Sequence, residues 1–128
     1  MNNVPKNLWY SKTHEWAMFT CDTIRLGLTD YAQNAMGDIV YADLPAVGDQ
    51  VEAGGLCGEV ESVKAVSEVH TPVGGTVCAV NSALADAPEM INKAPYEAWI
   101  AEIGQITEKG ELLSPEQYEA FCEEEDMR

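Results

Sequence analysis

The sequence has 128 residues, 46% of them hydrophobic, and a formal net charge of −15 at pH 7. Its length suits a single domain, residues 1–128, with a sizeable core and too little chain for two domains. Only seven residues are lysine or arginine, too few to neutralise a track of nucleic-acid phosphates or to bind an anionic membrane. The acidic surface therefore either steers basic partners toward the protein or is simply solvated.

Two β-strands are predicted near the N-terminus. The β-prone residues of Trp9–Trp16 form the first, and those of Thr23–Leu28 form the second. The intervening Cys21–Asp22 supplies a turn across which the two strands would pair.

A short helix is predicted to follow. Its apolar residues recur at helical spacing on one face, namely Leu28, Tyr31, Ala32, Ala35 and Met36. Thr29 is predicted to be the N-cap, and Gly37 the C-terminal stop. The stripe is expected to face the core.

Residues 38–80 have the pattern of a small β-protein. Five short β-prone runs follow one another, namely DIVYADLP, DQVEAGG, GLCGEVES, AVSEVH and GGTVCAV. Glycines and prolines divide them at intervals of about 8–12 residues, which is typical of a sandwich or barrel. The spacing disfavours a fold in which strands alternate with crossover helices.

The C-terminal segment is predicted to add two short helices and one strand. Ser82 would cap a helix that Pro88 halts, and AWIAEI would form the strand. A final helix is predicted over about residues 114–125 from its capping box, with Ser114 as N-cap and Gln117 three residues later. Its apolar side carries Tyr118, Phe121 and Cys122.

The N-terminus and the cysteines bear on the compartment. MNNVPKNLWY has neither the charged start nor the apolar stretch of a secretory signal, and no run of the chain approaches the roughly 18 apolar residues of a membrane span. Cys57 and Cys78 lie in apolar runs and are interpreted as small buried residues. Without CxxC pairs or zinc-like Cys/His spacing, we expect reduced thiols, no metal site and a soluble intracellular protein, unless a presequence has been removed.

Lys64 is the unusual residue of the sequence. It is the only lysine or arginine between Arg25 and Lys93, an interval with ten acidic residues. GEVESVKAVSEVH, residues 58–70, predicts a hairpin that bends at Val63 and Lys64. A lysine at a tight turn is exposed and fixed in position, as an enzyme that attaches a cofactor to one amine requires. The ordinary alternative is a surface lysine that improves solubility.

The segment GEVESVKAVSEVHTPVGGTV resembles the lipoyl-attachment segment of the glycine cleavage system H protein family. Glu61, Ser62, Val63 and Ala65 match the family residues that surround its modified lysine. YSKTHEW, GLTDYAQNAMGDIVYADLPAVGD, AVNSALADAPEMIN and YEAFCEEED resemble the same family in the same order. Biotin carriers and the lipoyl domains of acyltransferases fit the Val-Lys-Ala triplet less well.

The resemblance implies a mostly β fold and a carrier function. The family fold is a barrel-sandwich hybrid of two small antiparallel sheets, with short flanking helices and a C-terminal helix. Lys64 would hold lipoic acid in amide linkage and shuttle the aminomethyl group of glycine without catalysing a reaction. The implied partners are a pyridoxal-phosphate glycine decarboxylase, a tetrahydrofolate-dependent aminomethyltransferase, a dihydrolipoamide dehydrogenase, and a lipoate ligase or lipoyltransferase. We expect a monomer, cytoplasmic in a bacterium or in the mitochondrial matrix of a eukaryote.

The resemblance also implies a cleft that shelters the aminomethyl cargo. Its candidate residues are Thr13, Glu15 and Glu68, whose polar groups would hold a cationic amine. His14 is a weaker candidate, since a structural hydrogen bond would explain it equally well. Trp16 is expected in the core.

Some positions depart from the family and leave alternatives open. PYEAWI, residues 95–100, looks one residue shorter than the family's Pro-Tyr-Gly-x-Gly-Trp and lacks both glycines. His70 stands where Tyr or Asn is commoner, and Gly74 replaces Ser. These changes are expected to affect cleft shape and docking more than lipoylation. Two other roles remain open: a lipoyl donor or regulatory protein outside glycine cleavage, and an unmodified acidic binding domain.

Overall fold

The computed structural model describes residues 3–127. Within this range the chain forms nine strands, namely β1 (Trp9–Tyr10), β2 (Glu15–Phe19), β3 (Ile24–Leu28), β4 (Ile39–Asp43), β5 (Gln50–Val51), β6 (Leu56–Ser62), β7 (Val66–His70), β8 (Val73–Val80) and β9 (Ala101–Lys109). The same residues form four helices, namely α1 (Asp30–Met36), α2 (Ala83–Asp86), α3 (Met90–Lys93) and α4 (Pro115–Asp126). None of these helices is long and apolar enough to cross a membrane.

The strands form two antiparallel sheets. One has six strands in the order β1-β2-β3-β9-β8-β5, and the other has three in the order β4-β6-β7. Every pairing between neighbours is antiparallel, and neither sheet closes into a barrel. The prediction of a mostly β fold with two antiparallel sheets and short helices is therefore confirmed.

The first predicted strand is broken in two. Tyr10 ends β1 and Glu15 begins β2, and the chain reverses between them so that Tyr10 pairs with Trp16. His14 lies in the left-handed region, with φ of 71°, and its N–H donates to the carbonyl of Ser11 at 3.1 Å. The prediction of one extended strand over Trp9–Trp16 is therefore wrong, because a residue with left-handed backbone cannot continue a strand.

The turn at Cys21–Asp22 joins β2 to β3, as predicted. Phe19 pairs with Ile24 on either side of it. Across this turn β3 therefore pairs with residues 15–19 and not with the segment that includes Trp9, and its other edge pairs with β9.

Helix α1 has the predicted caps but a different buried face. The Thr29 hydroxyl accepts from the amide of Ala32 at 3.2 Å, and Gly37 has a φ of 81°, which favours glycine. Ala35 is exposed and Gln33 is buried, so the predicted apolar stripe is wrong at these positions. Burial of Gln33 is tolerated because its Oε1 accepts from the side chain of Asn92 at 2.8 Å.

The middle and C-terminal elements largely follow the prediction. The five β-prone runs correspond to β4 through β8. Helix α2 follows Ser82, although the Ser82 side chain makes no capping bond, and α3 was not predicted. The last strand starts at Ala101 and extends to Lys109, beyond the predicted AWIAEI. The capping box of α4 is present, with Ser114 and Gln117 bonding reciprocally.

Two apolar clusters support these elements. The larger lies between the sheets, and the smaller joins β1 and β2 to α4 through Tyr10, Trp16 and Tyr118. Trp16 is buried, as predicted, and its indole N–H donates to the carbonyl of Pro95 at 3.0 Å. Gly27 faces this ring, because a Cβ there would lie 2.8 Å from it.

The four cysteines are free thiols, and the two expected in the core differ. Cys57 is buried, but Cys78 is exposed. Val77 points into the core, so its neighbour on β8 must point outward. The prediction that Cys78 is buried is therefore wrong.

Candidate functional site

Lys64 lies in the turn that joins β6 to β7. Glu61 pairs with Val66 at the end of the ladder, and the N–H of Ser62 donates to the carbonyl of Ala65 at 2.8 Å. The Ser62 hydroxyl accepts from the amides of Lys64, at 3.2 Å, and Ala65, at 3.0 Å. A serine at this position therefore closes the turn through its side chain.

The hairpin tip is exposed and attached to the rest of the fold. The amide of Val63 donates to the carbonyl of Asp38 at 3.0 Å, which links the tip to the start of β4. The Lys64 chain passes over Gly37, where a Cβ would lie 3.4 Å from Lys64 Cε. Among residues 3–127 no carboxylate forms an ion pair with the Lys64 amine. The backbone is held while the amine is left accessible.

Glu15 is fully buried, which is exceptional for a carboxylate. Its Oε1 accepts from the Ser11 hydroxyl at 2.7 Å and from the Thr13 hydroxyl in a short hydrogen bond. Its Oε2 accepts from the backbone amide of His70 at 3.1 Å. Burial raises the pKa of Glu15, and these hydrogen bonds oppose that rise. In the described part of the chain no lysine or arginine pairs with it.

The Glu15 carboxylate joins the two sheets. Glu15 begins β2 in the six-stranded sheet, whereas His70 ends β7, an edge strand of the three-stranded sheet. The bond to the His70 amide satisfies a donor that an edge strand would otherwise leave without a strand partner. Glu15 thus sits where the sheets meet.

A cleft of about 400 Å³ opens at this junction. The residues that line it are Ser11, Lys12, Thr13, Glu15, Ala53, Gly54, His70, Thr71, Pro72, Gly110 and Glu111. The structure therefore brings the candidates Thr13 and Glu15 together in one cavity. Ser11 and His70 complete it, and the sequence prediction did not include either of them in the site.

Glu68 lies beside the cleft and not in its lining. Its Oε1 is 3.5 Å from Nε2 of His70, and its side chain is exposed. His70 in turn places Nδ1 3.1 Å from the carbonyl oxygen of Gly54. Val66, Glu68 and His70 alternate along β7 and so share one face. This face leads from Lys64 to the cleft.

His14 faces away from the cleft. Its Nδ1 is 2.7 Å from the Tyr118 hydroxyl on α4, and its ring stacks on Tyr31 with centroids 4.6 Å apart. Burial lowers the pKa of His14, and Glu125, 3.9 Å from Nε2, opposes that shift. This environment provides the structural hydrogen bond that the sequence left as the alternative to a direct role.

The departures from the family pattern fall on different parts of the molecule. None of residues 95–100 lines the cleft, and Trp99 stacks under Arg25 with the guanidinium 4.4 Å from the ring centroid. His70 does line the cleft. The sequence spacing could have placed His70 in the site, because it lies two residues after the candidate Glu68 and alternate residues of a strand share a face.

Comparison with known proteins gives one consistent result. The family described as Glycine cleavage H-protein matches residues 8–125. A glycine cleavage system H protein from Lachnoclostridium phytofermentans is 54% identical over 123 residues, which is 95% of this chain and 97% of the relative. One from Methylococcus capsulatus is 50% identical over 127 residues, or 97% of this chain and 100% of the relative. The crystal structure of a glycine cleavage system H protein from Mycobacterium marinum has a TM-score of 0.86 at 36% identity, covering 96% of this chain and 99% of that one.

Proposed function

Because the chain belongs to the glycine cleavage H-protein family, we propose that Lys64 is the residue that carries its lipoyl group in amide linkage. Family membership makes the protein the lipoyl carrier of the glycine cleavage system. A role as lipoyl donor outside that system is not favoured by the named relatives. The carrier catalyses no reaction itself, and the chemical steps belong to its partner enzymes.

The accessible amine of Lys64 is the observation that carries this proposal. Attachment joins its Nζ to an activated lipoate carboxyl, and the activating group leaves. The turn suits that reaction because the backbone is held by the Ser62 and Asp38 contacts, while the amine has no ion pair among the described residues. When bound, the lipoyl group supplies a dithiolane sulfur that accepts the aminomethyl group of glycine. Its length with the lysine chain is on the order of 10–15 Å.

The face of β7 provides a route for this arm. A strand rises about 3.3 Å per residue, so Glu68 lies roughly 13 Å along the chain from Lys64. An extended arm is therefore long enough to reach the Glu68 side chain beside the cleft. Glu68 offers an exposed carboxylate to a cationic cargo there.

Glu15 is suited to hold the amine of the cargo. A buried carboxylate with no basic partner among the described residues attracts a cation more strongly than an exposed one. Ser11, Thr13 and the His70 amide already donate to both of its oxygens, so its position is set before the cargo arrives. A cargo seated against Glu15 would be covered by the cleft walls, which limits its contact with the water that hydrolyses such an adduct.

The partners follow from the same role. A pyridoxal-phosphate glycine decarboxylase loads the carrier, a tetrahydrofolate-dependent aminomethyltransferase unloads it, and a dihydrolipoamide dehydrogenase reoxidises it. A lipoate ligase or lipoyltransferase installs the cofactor. The relatives named above come from bacteria, which supports the cytoplasm as the compartment.

The decisive experiment is intact-mass measurement after expression with lipoate and its ligase. The chain should gain the mass of one lipoyl group, and Lys64→Arg should gain none. Lys93→Arg, which removes another exposed lysine, should be modified like the original protein. Modification of Lys64→Arg, or aminomethyl transfer by it, would refute the assignment of Lys64.

A second experiment tests the cleft. Glu15→Gln should leave lipoylation intact and release the cargo about tenfold faster, because about 1.4 kcal/mol of lost stabilisation corresponds to a factor of ten. Glu59→Gln, which removes a carboxylate outside the cleft lining, is the matched control. Equal lifetimes of the loaded original protein and Glu15→Gln would remove Glu15 from the site.

A further inference from the structure

A chain of hydrogen bonds connects the cleft to the C-terminal helix. We propose that His14 and Tyr118 form a positioning pair that holds the Glu15 carboxylate in place, so that α4 determines how well the cleft shelters its cargo. The proposal rests on the role of Glu15 stated under the proposed function and extends it to two residues that do not line the cleft.

The first step is the backbone at His14. This residue has a φ of 71°, a conformation that a residue with a Cβ keeps only when its surroundings impose it. Its N–H donates to Ser11 at 3.1 Å, and its carbonyl accepts from the amide of Thr29 at 3.1 Å. The left-handed residue immediately precedes Glu15 and therefore sets the direction in which β2 starts.

The second step is the environment of the His14 ring. The Tyr118 hydroxyl lies 2.7 Å from both Nδ1 of His14 and Oγ1 of Thr29. Burial lowers the pKa of His14 and raises that of Tyr118, so the imidazole is neutral and the phenol keeps its proton. Tyr118 then donates to Nδ1 and accepts from the Thr29 hydroxyl. This arrangement uses the hydroxyl of Tyr118 as both donor and acceptor.

The third step is the rigidity of Tyr118. Its side chain is fully buried and stacks on Tyr10 with centroids 4.6 Å apart. Tyr10 belongs to β1, and its backbone exchanges two hydrogen bonds with Leu113, just before α4, at 3.0 and 2.6 Å. Tyr118 is thus a fixed point against which the ring of His14 is held.

The consequence reaches Glu15 through the chain. The His14 side chain contacts Tyr118 on α4, whereas the Glu15 side chain lines the cleft, so the left-handed backbone at His14 is the point at which the two neighbouring side chains diverge. There the amide of Glu15 donates to the Ser11 hydroxyl at 3.0 Å while Oε2 receives the His70 amide. Loosening His14 frees the Glu15 side chain to leave this geometry.

The test is Tyr118→Phe, which deletes one oxygen and keeps the ring. The His70 amide reports on Glu15 directly, since it donates to Oε2. Its hydrogen exchange in the unlipoylated protein should become about tenfold faster, and the loaded protein should release its cargo about threefold faster. Tyr31→Phe is the control, because it removes a different bond to α4, from the Tyr31 hydroxyl to Asp126 at 2.9 Å, and keeps the ring on His14. In this control, the exchange rate of the His70 amide and the rate of cargo release should both stay within twofold of those of the original protein.

A double variant separates positioning from general loosening. In the Glu15→Gln background, Tyr118→Phe should shorten the lifetime of the loaded protein no further. Equal shortening in both backgrounds, or His70 exchange unchanged by Tyr118→Phe, would overturn the proposal. If Glu15→Gln alone has no effect, the role of Glu15 fails first; if it acts while Tyr118→Phe does not, only the positioning pair fails. Should Tyr118→Phe not fold, His14→Asn serves instead, because asparagine tolerates the left-handed backbone while removing the imidazole, and the same outcomes apply.

Discussion

The hairpin and the cleft are built in opposite ways. Lys64 presents an exposed amine on a turn whose backbone is held chiefly by contacts within a few residues, those of the Ser62 hydroxyl. Glu15 is a buried carboxylate whose amide donor, His70, lies 55 positions away in the chain. An arm that must visit several enzymes needs a free end, whereas a group that shelters a reactive cargo needs fixed partners. The two requirements place opposite demands on burial.

This difference separates the expected effects of substitutions. Changes at the exposed tip remove few buried contacts, so they should alter modification with little loss of stability. Changes around Glu15 disturb a buried charge and its donors, so they should alter stability and cargo lifetime together. A variant that violated this division would show that the two regions are coupled.

The largest effect is expected from exchanging two residues at the tip. Val63→Lys combined with Lys64→Val keeps the composition and charge and moves the amine by one position. Lipoylation should be lost, because the ligase requires the amine at one place on the turn, while thermal stability should barely change since Val63 is 70% exposed. Intact mass and a melting curve measure both. Full modification of the exchanged variant would show that the ligase does not require the amine at position 64.

The next effect concerns a donor to the buried carboxylate. Ser11→Ala removes the 2.7 Å bond to Glu15 and should lower the free energy of unfolding by about 2 kcal/mol at neutral pH, as expected for a hydrogen bond to a charged group. The loss should shrink in acid, where Glu15 is neutral. Chemical denaturation at both pH values measures it. A loss that is the same at the two pH values would mean that Ser11 does not act through the Glu15 charge.

A smaller effect is expected from the hydroxyl that closes the turn. Ser62→Ala removes the acceptor of the Lys64 and Ala65 amides, which should lower stability by about 1 kcal/mol and slow lipoylation severalfold by loosening the tip. Ser67→Ala is the control, since its hydroxyl makes only a 3.5 Å contact with the neighbouring Glu68 carbonyl. Ligase kinetics on the two variants are compared. Equal rates would mean that turn rigidity does not matter for attachment.

The finest distinction is the pH dependence of stability. Burial raises the pKa of Glu15 above its ordinary value of 4.5, so the fold favours the protonated carboxyl. The stability that this proton contributes is fully present below pH 4.5, the ordinary pKa, and is lost as the pH rises through the raised pKa of the folded protein. Glu15→Gln has no carboxyl to titrate at this position. The free energy of unfolding of the variant, relative to that of the original protein, should therefore increase as the pH rises through the pKa of Glu15. A difference that stays constant with pH would contradict the assigned shift.

Much of the architecture was predictable because its signals are local. Thr29, Gly37 and the Ser114 capping box act within a few residues, and each was correctly assigned. The turn signals likewise divided residues 38–80 into their five strands. The errors at Ala35, Gln33 and Cys78 concern which side of an element is buried, and that depends on neighbours distant in the chain.

The amino-acid sequence alone was enough to predict the succession of strands and helices and the position of Lys64 in a turn, since both depend on short-range backbone preferences and on a family motif. Tertiary structure alone decided that residues 11–15 turn back on themselves and meet His70, and that His14 points to α4. Those contacts form only when two sheets and a helix pack together, because burial, not local propensity, selects the left-handed backbone and the buried carboxylate.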